Sequence, residues 1–297
     1  MVRYSVVRVL FVVMLTMLVL CNCAWADKVP VAEFTVGKAS VWAIADSIIE
    51  TSSSIFPGAD PQAISQFMPT GKAPAAIMVF MVKIENEVIL IDTGFGDPTM
   101  NSRLMEGLEQ IGVAPEQITL VLLTHMHRDH VVGLMWNGEK AFPSARVLAH
   151  RLEKDFWLDE RSVRLFPHLK AALGWARERL DMYCSVTKTF EWDTMVVPGI
   201  RAIDASGHTP GHTAFLLESE GEKLLFWGDI VHVAALQFPR PDINPQYDLF
   251  PGAAGTRAQF MEWITEEKLS IAGAHLPFPG VGKVEKRPEG GFTYISR

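Results

Sequence analysis

Apolar runs alternate with amphipathic segments along most of the chain, and this alternation predicts strands and helices in turn. Residues 88–91 and 118–123 are short, continuous apolar runs of the kind that a buried strand shows. Residues 167–180 instead repeat their apolar positions at helical spacing. The pattern indicates two β-sheets packed together, with helices outside. We predict strands over 33–45, 76–91 with a turn at 85–86, 118–123, 200–205, 213–218, 223–227 and 269–274, helices over 99–111, 129–135, 151–159, 167–180 and 256–267, and a long loop over 46–74.

The first residues have the layout of a secretory signal peptide. Arg3 and Arg8 form a basic start, residues 9–20 are apolar apart from one Thr, and residues 24–26 fit a small-residue cleavage site. The apolar run is shorter than the roughly 20 residues that a membrane-spanning helix needs. An uncleaved anchor and lipidation at Cys21 remain as less favoured alternatives. We predict a signal peptide over 1–26, a mature domain over 27–297, a periplasmic or secreted location, and no membrane contact after cleavage.

Charge and cysteine content narrow the class of protein. The formal net charge is −7, and it becomes −9 when Arg3 and Arg8 leave with the signal peptide. No basic stretch remains that would bind nucleic acid, so neutral or weakly charged small molecules are the expected partners. Of the three cysteines, only Cys184 lies outside the predicted signal peptide, which excludes an internal disulfide in the mature chain.

Three histidines and one aspartate lie within residues 125–130, directly after a predicted buried strand. Imidazole and carboxylate are good ligands for divalent ions, and packing alone gives no reason to gather them. His125 and His127 project to the same side of an extended chain, so both can reach one ion. Asp129 and His130 follow after the chain has turned, and they point to a second, adjacent position.

Further candidate ligands also come directly after predicted strands. His208 and His212 follow one such strand, Asp229 follows the next hairpin, and His275 follows the last strand. Asp92 ends an earlier strand in the sequence Ile-Asp-Thr-Gly. Each residue alone is more simply explained as a buried polar group with a structural role. Their joint spacing and their common position at strand ends predict a metal site.

This set of motifs resembles the metallo-β-lactamase superfamily from about residue 33 to the end of the chain. The resemblance implies an α/β fold, a four-layer αβ/βα sandwich, that binds two divalent metal ions. Zinc is the first expectation, and an N and O ligand set would also accept Co, Mn or Fe. By the same resemblance Asp92 would orient a ligand imidazole, and His212 would be structural. The implied ligands are His125, His127 and His208 for one ion, Asp129, His130 and His275 for the other, and Asp229 as a bridge between them.

The resemblance also implies a hydrolase. Two divalent ions about 3.5–4 Å apart share a water and lower its pKa, and the bridging hydroxide then attacks an ester-type bond. Asp129 and Asp229 take part in catalysis as ligands in this scheme. A Gly-x-Ser-x-Gly motif is absent and Cys184 lies in a predicted link between elements, so no covalent intermediate is expected.

Three stretches, residues 208–212, 227–238 and 274–280, resemble the methyl parathion hydrolase branch of the superfamily, and residues 155–158 also resemble a stretch there. That branch is exported and dinuclear and hydrolyses organophosphate triesters, and related members open lactones. The resemblance therefore implies a lactone or a triester as the small-molecule substrate.

The same branch suggests residues that contact the substrate. Trp157, Phe166 and Phe95 would line an apolar pocket, with helix packing as the alternative for each. His232 follows Asp229 by three residues, where related lactonases carry a Tyr, and it would hydrogen-bond the substrate carbonyl or the leaving oxygen. A purely structural His232 is the alternative.

Four other classes of protein are less favoured alternatives for this chain. A β-lactamase is less favoured because those enzymes carry Cys or Ser near the bridging position. A glyoxalase-II-like thioesterase usually has basic residues and a helical C-terminal extension that are not found here. A persulfide dioxygenase would use one Fe(II), and a non-catalytic binding protein would not need the full ligand set. The native substrate, the loaded metal, and the choice between a monomer and a homodimer are left open.

Overall fold

The computed structural model describes residues 28–96 and 98–297. The predicted signal peptide, residues 1–26, and the lipidation candidate Cys21 lie outside the described residues, so both stay predictions. Within the described part, no helix is both long and apolar enough to cross a bilayer.

Two β-sheets of seven strands each, counted over the described residues, form the centre of the fold. Their spatial orders are β1-β2-β3-β4-β5-β8-β9 and β10 to β16 in sequence, while β6 and β7 pair only with each other. The strands are β1 (Val31–Val36), β2 (Ala39–Ser52), β3 (Lys72–Ile84), β4 (Glu87–Ile91), β5 (Leu120–Leu122), β6 (Met135–Trp136), β7 (Glu139–Lys140), β8 (Arg146–His150), β9 (Thr187–Phe190), β10 (Met195–Val197), β11 (Ile200–Asp204), β12 (Thr213–Ser219), β13 (Glu222–Phe226), β14 (Ser270–Ala272), β15 (Val281–Lys286) and β16 (Phe292–Ser296).

Helices cover the outer faces of both sheets. The apolar sides of α2, α3, α4 and α6 pack on the first sheet, and α8 packs on the second. The helices are α1 (Pro61–Phe67), α2 (Leu104–Gln110), α3 (Arg128–Val131), α4 (Arg151–Leu158), α5 (Glu160–Leu165), α6 (Lys170–Met182), α7 (Ala234–Gln237) and α8 (Ala253–Glu267).

Three layers of buried apolar side chains hold these elements together. Between the sheets, the rings of Phe80 and Phe226 lie 5.4 Å apart, centroid to centroid. Leu173 of α6 is buried against the first sheet, and Phe260 of α8 is buried against the second. Burial of apolar area on both faces of each sheet is the main stabilising contribution in such a fold. The predicted four-layer αβ/βα sandwich is confirmed.

Strand direction brings several strand ends to one edge of the sandwich. In the first sheet β4, β5, β8 and β9 run parallel. In the second, β13 and β14 are parallel, and β11 points the same way because both β11 and β13 are antiparallel to β12. Side chains that follow β5, β11, β13 and β14 can therefore meet across the two sheets.

The predicted single strand 33–45 is wrong, because a hairpin turn divides it into β1 and β2. Gly37 makes this turn with a φ of 55°. A Cβ at this position would lie 2.2 Å from the carbonyl oxygen of Ser219 in the facing sheet, so only glycine fits there.

The predicted loop 46–74 is also wrong in large part. β2 continues to Ser52, since its β-branched residues suit a strand, and the short helix α1 follows. Ile55, Phe56 and Met68 of this segment are buried against Leu236 of α7. The segment is therefore ordered, and it forms a wall beside the edge of the sandwich at which the strand ends meet.

Candidate metal centre

The ends of four strands place the predicted ligands together. His125 and His127 follow β5, His208 follows β11, Asp229 follows β13, and His275 follows β14. Asp129 and His130 are added to this set because α3 begins at residue 128 and turns the chain. The ligand atoms form two adjoining groups, one of His125, His127, His208 and Asp229 and one of Asp129, His130 and His275.

Three histidine nitrogens form a triangle in the first group. Nδ1 of His127 lies 3.0 Å from Nε2 of His125 and 2.8 Å from Nε2 of His208, and the third side is 3.2 Å. These three contacts cannot all be hydrogen bonds, because at least two of the three nitrogens must have the same donor or acceptor role. A divalent ion that accepts all three lone pairs explains the arrangement.

Asp229 reaches both groups with its two oxygens. Oδ2 lies 3.3 Å from Nε2 of His208 and 2.9 Å from Nε2 of His275, and Oδ1 lies 3.2 Å from Nε2 of His130. Oδ2 of Asp129 lies 3.4 Å from Nε2 of His275, which places it in the second group. One carboxylate thus stands between two potential ion positions.

Unpartnered buried atoms support a fit to metal ions. In the described part of the chain, Nε2 of His130 and Oδ1 of Asp229 are buried and, although they lie 3.2 Å apart, neither forms a hydrogen bond of good geometry. Such an atom costs about 1–3 kcal/mol, so native structures rarely leave it unsatisfied. Imidazole and carboxylate without thiolate form a donor set that suits zinc and also other first-row divalent ions.

Asp92 orients the second group from behind. Its Oδ2 lies 2.8 Å from Nδ1 of His130, and its carboxylate also accepts from the backbone N–H and the hydroxyl of Thr124 at 2.8 and 2.7 Å. Because Nδ1 of His130 is bound to Asp92, its Nε2 faces the potential ion position. Carboxylates commonly orient metal-binding histidines in this way.

Burial and the neighbouring charges together set the pKa values within the site. Burial and the neighbouring histidines hold the pKa values of His125 and His127 well below their usual value, so both rings stay neutral. Burial raises the pKa of Asp229, but the surrounding histidines, His130 foremost, outweigh it and hold that pKa well below its usual value. Burial lowers the pKa of His208, but hydrogen bonds to Asp229 and Asp248 outweigh it and raise this pKa to about 9.

The structure also shows supporting residues that the sequence analysis missed. Oδ1 of Asp248 lies 2.8 Å from Nδ1 of His208, and its Oδ2 accepts from the buried guanidinium of Arg257 at 2.8 Å. Asp248 lies in a loop without periodicity or motif, so the sequence offered no signal for it. His212, predicted to be structural, contacts the carbonyl of Ala205 and accepts from the N–H of Asp229.

Glu153 joins the two ligand-bearing loops. Its buried carboxylate accepts from the N–H of Met126 at 2.9 Å and from the indole N–H of Trp157 at 2.6 Å. The same carboxylate accepts from the hydroxyl of Thr209 at 2.7 Å and the N–H of Gly211 at 2.9 Å. Burial raises the pKa of Glu153 above its usual value, because its effect is larger than the opposing effect of these four donors. An acid on the apolar face of α4, four residues before a Trp, was the only signal in the sequence.

A cavity of about 620 Å³ opens onto the ligand groups. Phe95 lines it, as predicted, together with Trp175 and Leu169. Trp157 and Phe166 do not line it, which corrects the predicted pocket. Trp157 has no exposed surface, because its bond to Glu153 turns the indole into the core behind His127. Phe166 instead packs on Phe156 and Phe250.

His232 forms part of the cavity wall. Its Nε2 lies 3.2 Å from Oδ2 of Asp229, and its ring stacks on His275 with centroids 5.1 Å apart. Within the described residues its Nδ1 is buried without a partner. The ring is therefore within reach of a molecule that occupies the cavity at the ligand groups.

Comparisons with known sequences place these features in a wider group. Residues 74–261 match the family model described as the metallo-beta-lactamase superfamily. The N-acyl homoserine lactonase of Bacillus thuringiensis subsp. kurstaki is 24% identical over 168 residues, which cover 48% of this chain and 59% of that protein. The N-acyl homoserine lactonase of Bacillus cereus is 26% identical over 170 residues, 50% of this chain and 61% of that protein. The matches thus span about three fifths of the curated relatives.

Solved structures show the same fold. A hydrolase of the beta lactamase superfamily, AbOPH, superposes with a TM-score of 0.84 and 29% identity, covering 91% of this chain and 98% of that one. AidC, a dizinc quorum-quenching lactonase solved with a product, has a TM-score of 0.83 and 24% identity over the same shares of the two chains.

Substitution of Glu153 by Gln is expected to weaken metal binding about 10- to 100-fold, the usual cost of losing a partner behind the ligands. The amide has one acceptor oxygen for four donors, so the two ligand-bearing loops lose their common anchor. Competition with a chromophoric chelator measures the affinity, and Glu109→Gln on the exposed side of α2 is the control. Wild-type affinity in Glu153→Gln would contradict the role given to this residue.

Metal binding is expected to release protons near neutral pH. With a pKa of about 9, His208 is protonated at pH 7 before metal binds, and a ligand nitrogen must give up its proton. Proton release should therefore fall, and apparent affinity rise, as the pH increases from 7 to 10. Calorimetry in two buffers with different ionisation enthalpies measures the release. Asp248→Asn removes a charge that raises the pKa of His208, so it should lower the proton release at pH 8. If the release changes neither with pH nor in Asp248→Asn, His208 is not the source of the proton.

Proposed function

The chain belongs to the metallo-beta-lactamase superfamily, and from that premise we propose that it is a dinuclear metal-dependent hydrolase of ester-type bonds, with lactones as the favoured substrates. The single observation that carries the proposal is Asp229, whose two oxygens face two groups of ligands. The curated relatives named as N-acyl homoserine lactonases support the substrate class. Organophosphate triesters are the second class to test, because the same site can attack a tetrahedral phosphorus centre.

The proposed ligand assignment follows the two groups in the structure. When bound, a pair of divalent ions lowers the pKa of a shared water and polarises the bond under attack. Zinc is the proposed ion, since it accepts nitrogen and oxygen donors and has no redox chemistry. One ion would be held by His125, His127 and His208, the other by Asp129, His130 and His275, and Asp229 would contact both.

The residues of the chain prepare this site in three ways. The neutral rings of His125 and His127 present lone pairs without a proton to displace. Asp92 and Asp248 hold ligand rings in one orientation through their second nitrogens. The largely apolar cavity receives the organic part of the substrate and displaces water from the reacting bond.

We assign His232 to the reacting group of the substrate. Its ring lies in the cavity wall, and Nε2 is 3.2 Å from Asp229, so it borders the place where the scissile bond must lie. From there it can hydrogen-bond the carbonyl oxygen or pass a proton to the leaving oxygen. Asp129 and Asp229 act in the reaction as metal ligands.

A panel of substrates tests the proposed function. The zinc-, cobalt- and manganese-loaded protein should turn over γ- and δ-lactones, aryl esters or paraoxon faster than a β-lactam or a thioester. Asp229→Ala should abolish turnover and lower the metal content below two ions per chain, because the carboxylate that lies between the two groups is lost. Asp181→Ala, an exposed carboxylate on α6, is the matched control. Activity retained by Asp229→Ala, or a single iron with oxygen consumption in the wild-type protein, would contradict the proposal.

Substitution of His232 by Phe should lower kcat by about 10²–10⁴-fold for alkyl esters and lactones, which have poor leaving groups. The aryloxide of an aryl ester leaves without help from an acid, so kcat for aryl esters should change much less. Metal content in the variant should stay at the wild-type level. Equal losses for both kinds of substrate would show that His232 acts only through the shape of the site.

A further inference from the structure

An arginine that forms no ion pair with any described residue lies in the wall of the substrate cavity. Arg128 opens α3 between the ligands His127 and Asp129, so its backbone position is tied to the ligand groups. Its guanidinium carbon lies 4.7 Å from the ring centroid of Trp175 and 5.8 Å from that of Phe95. Contact with these rings holds the planar group in place and leaves its N–H edges for another partner.

No acceptor for these N–H groups is found among the described residues. The buried Arg257, in contrast, pairs with Asp248, and Arg179 pairs with Glu178. The carboxylates in the cavity wall are also engaged. Asp229 faces the ligand histidines, as does Asp129, and Glu50 lies 3.5 Å from the ammonium group of Lys72.

The opposite side of Arg128 shows no anionic side chain within the described part of the chain either. A second cavity of about 300 Å³ shares Arg128 and Trp175 as its wall. Its other polar lining side chains are Asn137 and the second cation, Arg179. Among residues 28–96 and 98–297, the positive charge of Arg128 is therefore unmatched from both cavities, and loading the ligand groups with divalent ions would make the substrate cavity more positive still.

We propose that the substrate of the hydrolase function proposed above carries a carboxylate remote from its ester bond, and that Arg128 binds this carboxylate. A guanidinium edge matches a carboxylate in a two-point, charge-assisted hydrogen bond. Ile49, Ile77 and Leu169 line the same cavity and suit the methylene chain that joins the two functional groups. The remote carboxylate sets specificity, while the ester bond lies at the ligand groups.

Binding measurements test the proposal without relying on turnover. Calorimetry compares pimelate with heptanoate on the zinc-loaded protein, because the two chains have equal length and differ by one carboxylate. The wild-type protein should bind pimelate on the order of 10- to 100-fold more tightly. Arg128→Gln should lose this preference and Arg128→Lys should keep part of it, since a Lys retains the charge without the fork.

Arg201→Gln is the matched control, because it removes an equal charge from an exposed position on β11. This variant should keep the wild-type preference for pimelate. Equal binding of the two acids by the wild-type protein, or full preference in Arg128→Gln, would overturn the proposal. If Arg128→Gln fails to load metal, the binding of pimelate and heptanoate to Arg128→Lys decides the test. A preference for pimelate as strong as that of the wild-type protein would then count against two-point binding.

Turnover separates this inference from the proposed function. The 4-nitrophenyl monoesters of adipate, pimelate and suberate each keep one free carboxylate. They are compared with the corresponding diesters, in which a methyl ester replaces this carboxylate. The proposal expects kcat/KM to favour the free acids in the wild-type protein, and this advantage should shrink as salt screens the charge. If neither kind of ester is hydrolysed, the hydrolase function fails while the pimelate comparison still tests Arg128.

Discussion

A carboxylate buried among histidines is the constraint on which the rest of this structure depends. Asp229 is 2% exposed, and taking a lone carboxylate out of water costs several kcal/mol unless opposite charge surrounds it. Strand ends from both sheets must therefore converge on it, which the parallel pairing of β5 with β4 and β8 in one sheet and of β13 with β14 in the other permits. Its oxygens lie within 3.7 Å of ring nitrogens of His125, His130, His208, His232 and His275.

The ligands are in turn held by groups that never face the cavity. Asp92 and Asp248 each bind the far nitrogen of a ligand ring, and Glu153 binds the backbone of two ligand-bearing loops. Each of these carboxylates is buried and has several donors, so its own charge is satisfied by the hydrogen bonds that position the ligands. The stability of this region and the geometry of the site are consequently properties of the same hydrogen-bond network.

The cavity beside this network joins the candidate ligands to other parts of the fold. Its walls come from β2, from the loop after β4 and from α6, and also from residues 127–129 and from the segments that follow β13 and β14. Phe95 and Trp175 supply apolar surface and also hold Arg128, which adds a cation to a mainly apolar space. The chemical character of the cavity thus depends on residues that are not candidate ligands as well as on those that are.

The sequence by itself determined where the main strands lie and that candidate metal ligands follow them, because strand periodicity and ligand spacing are local patterns that survive without tertiary context. The four-layer fold and the set of seven candidate ligands came from the resemblance to the metallo-β-lactamase superfamily. The sequence also indicated Asp92, which ends a strand in a short motif. Only the tertiary structure decided that Trp175 rather than Trp157 lines the cavity, since the rotation of each helix about its axis depends on its packing and on the bond from Trp157 to Glu153. Asp248 and the isolation of Arg128 were likewise invisible in the sequence, and Glu153 was marked only by its place four residues before Trp157, because their roles are defined by contacts between residues far apart in the chain.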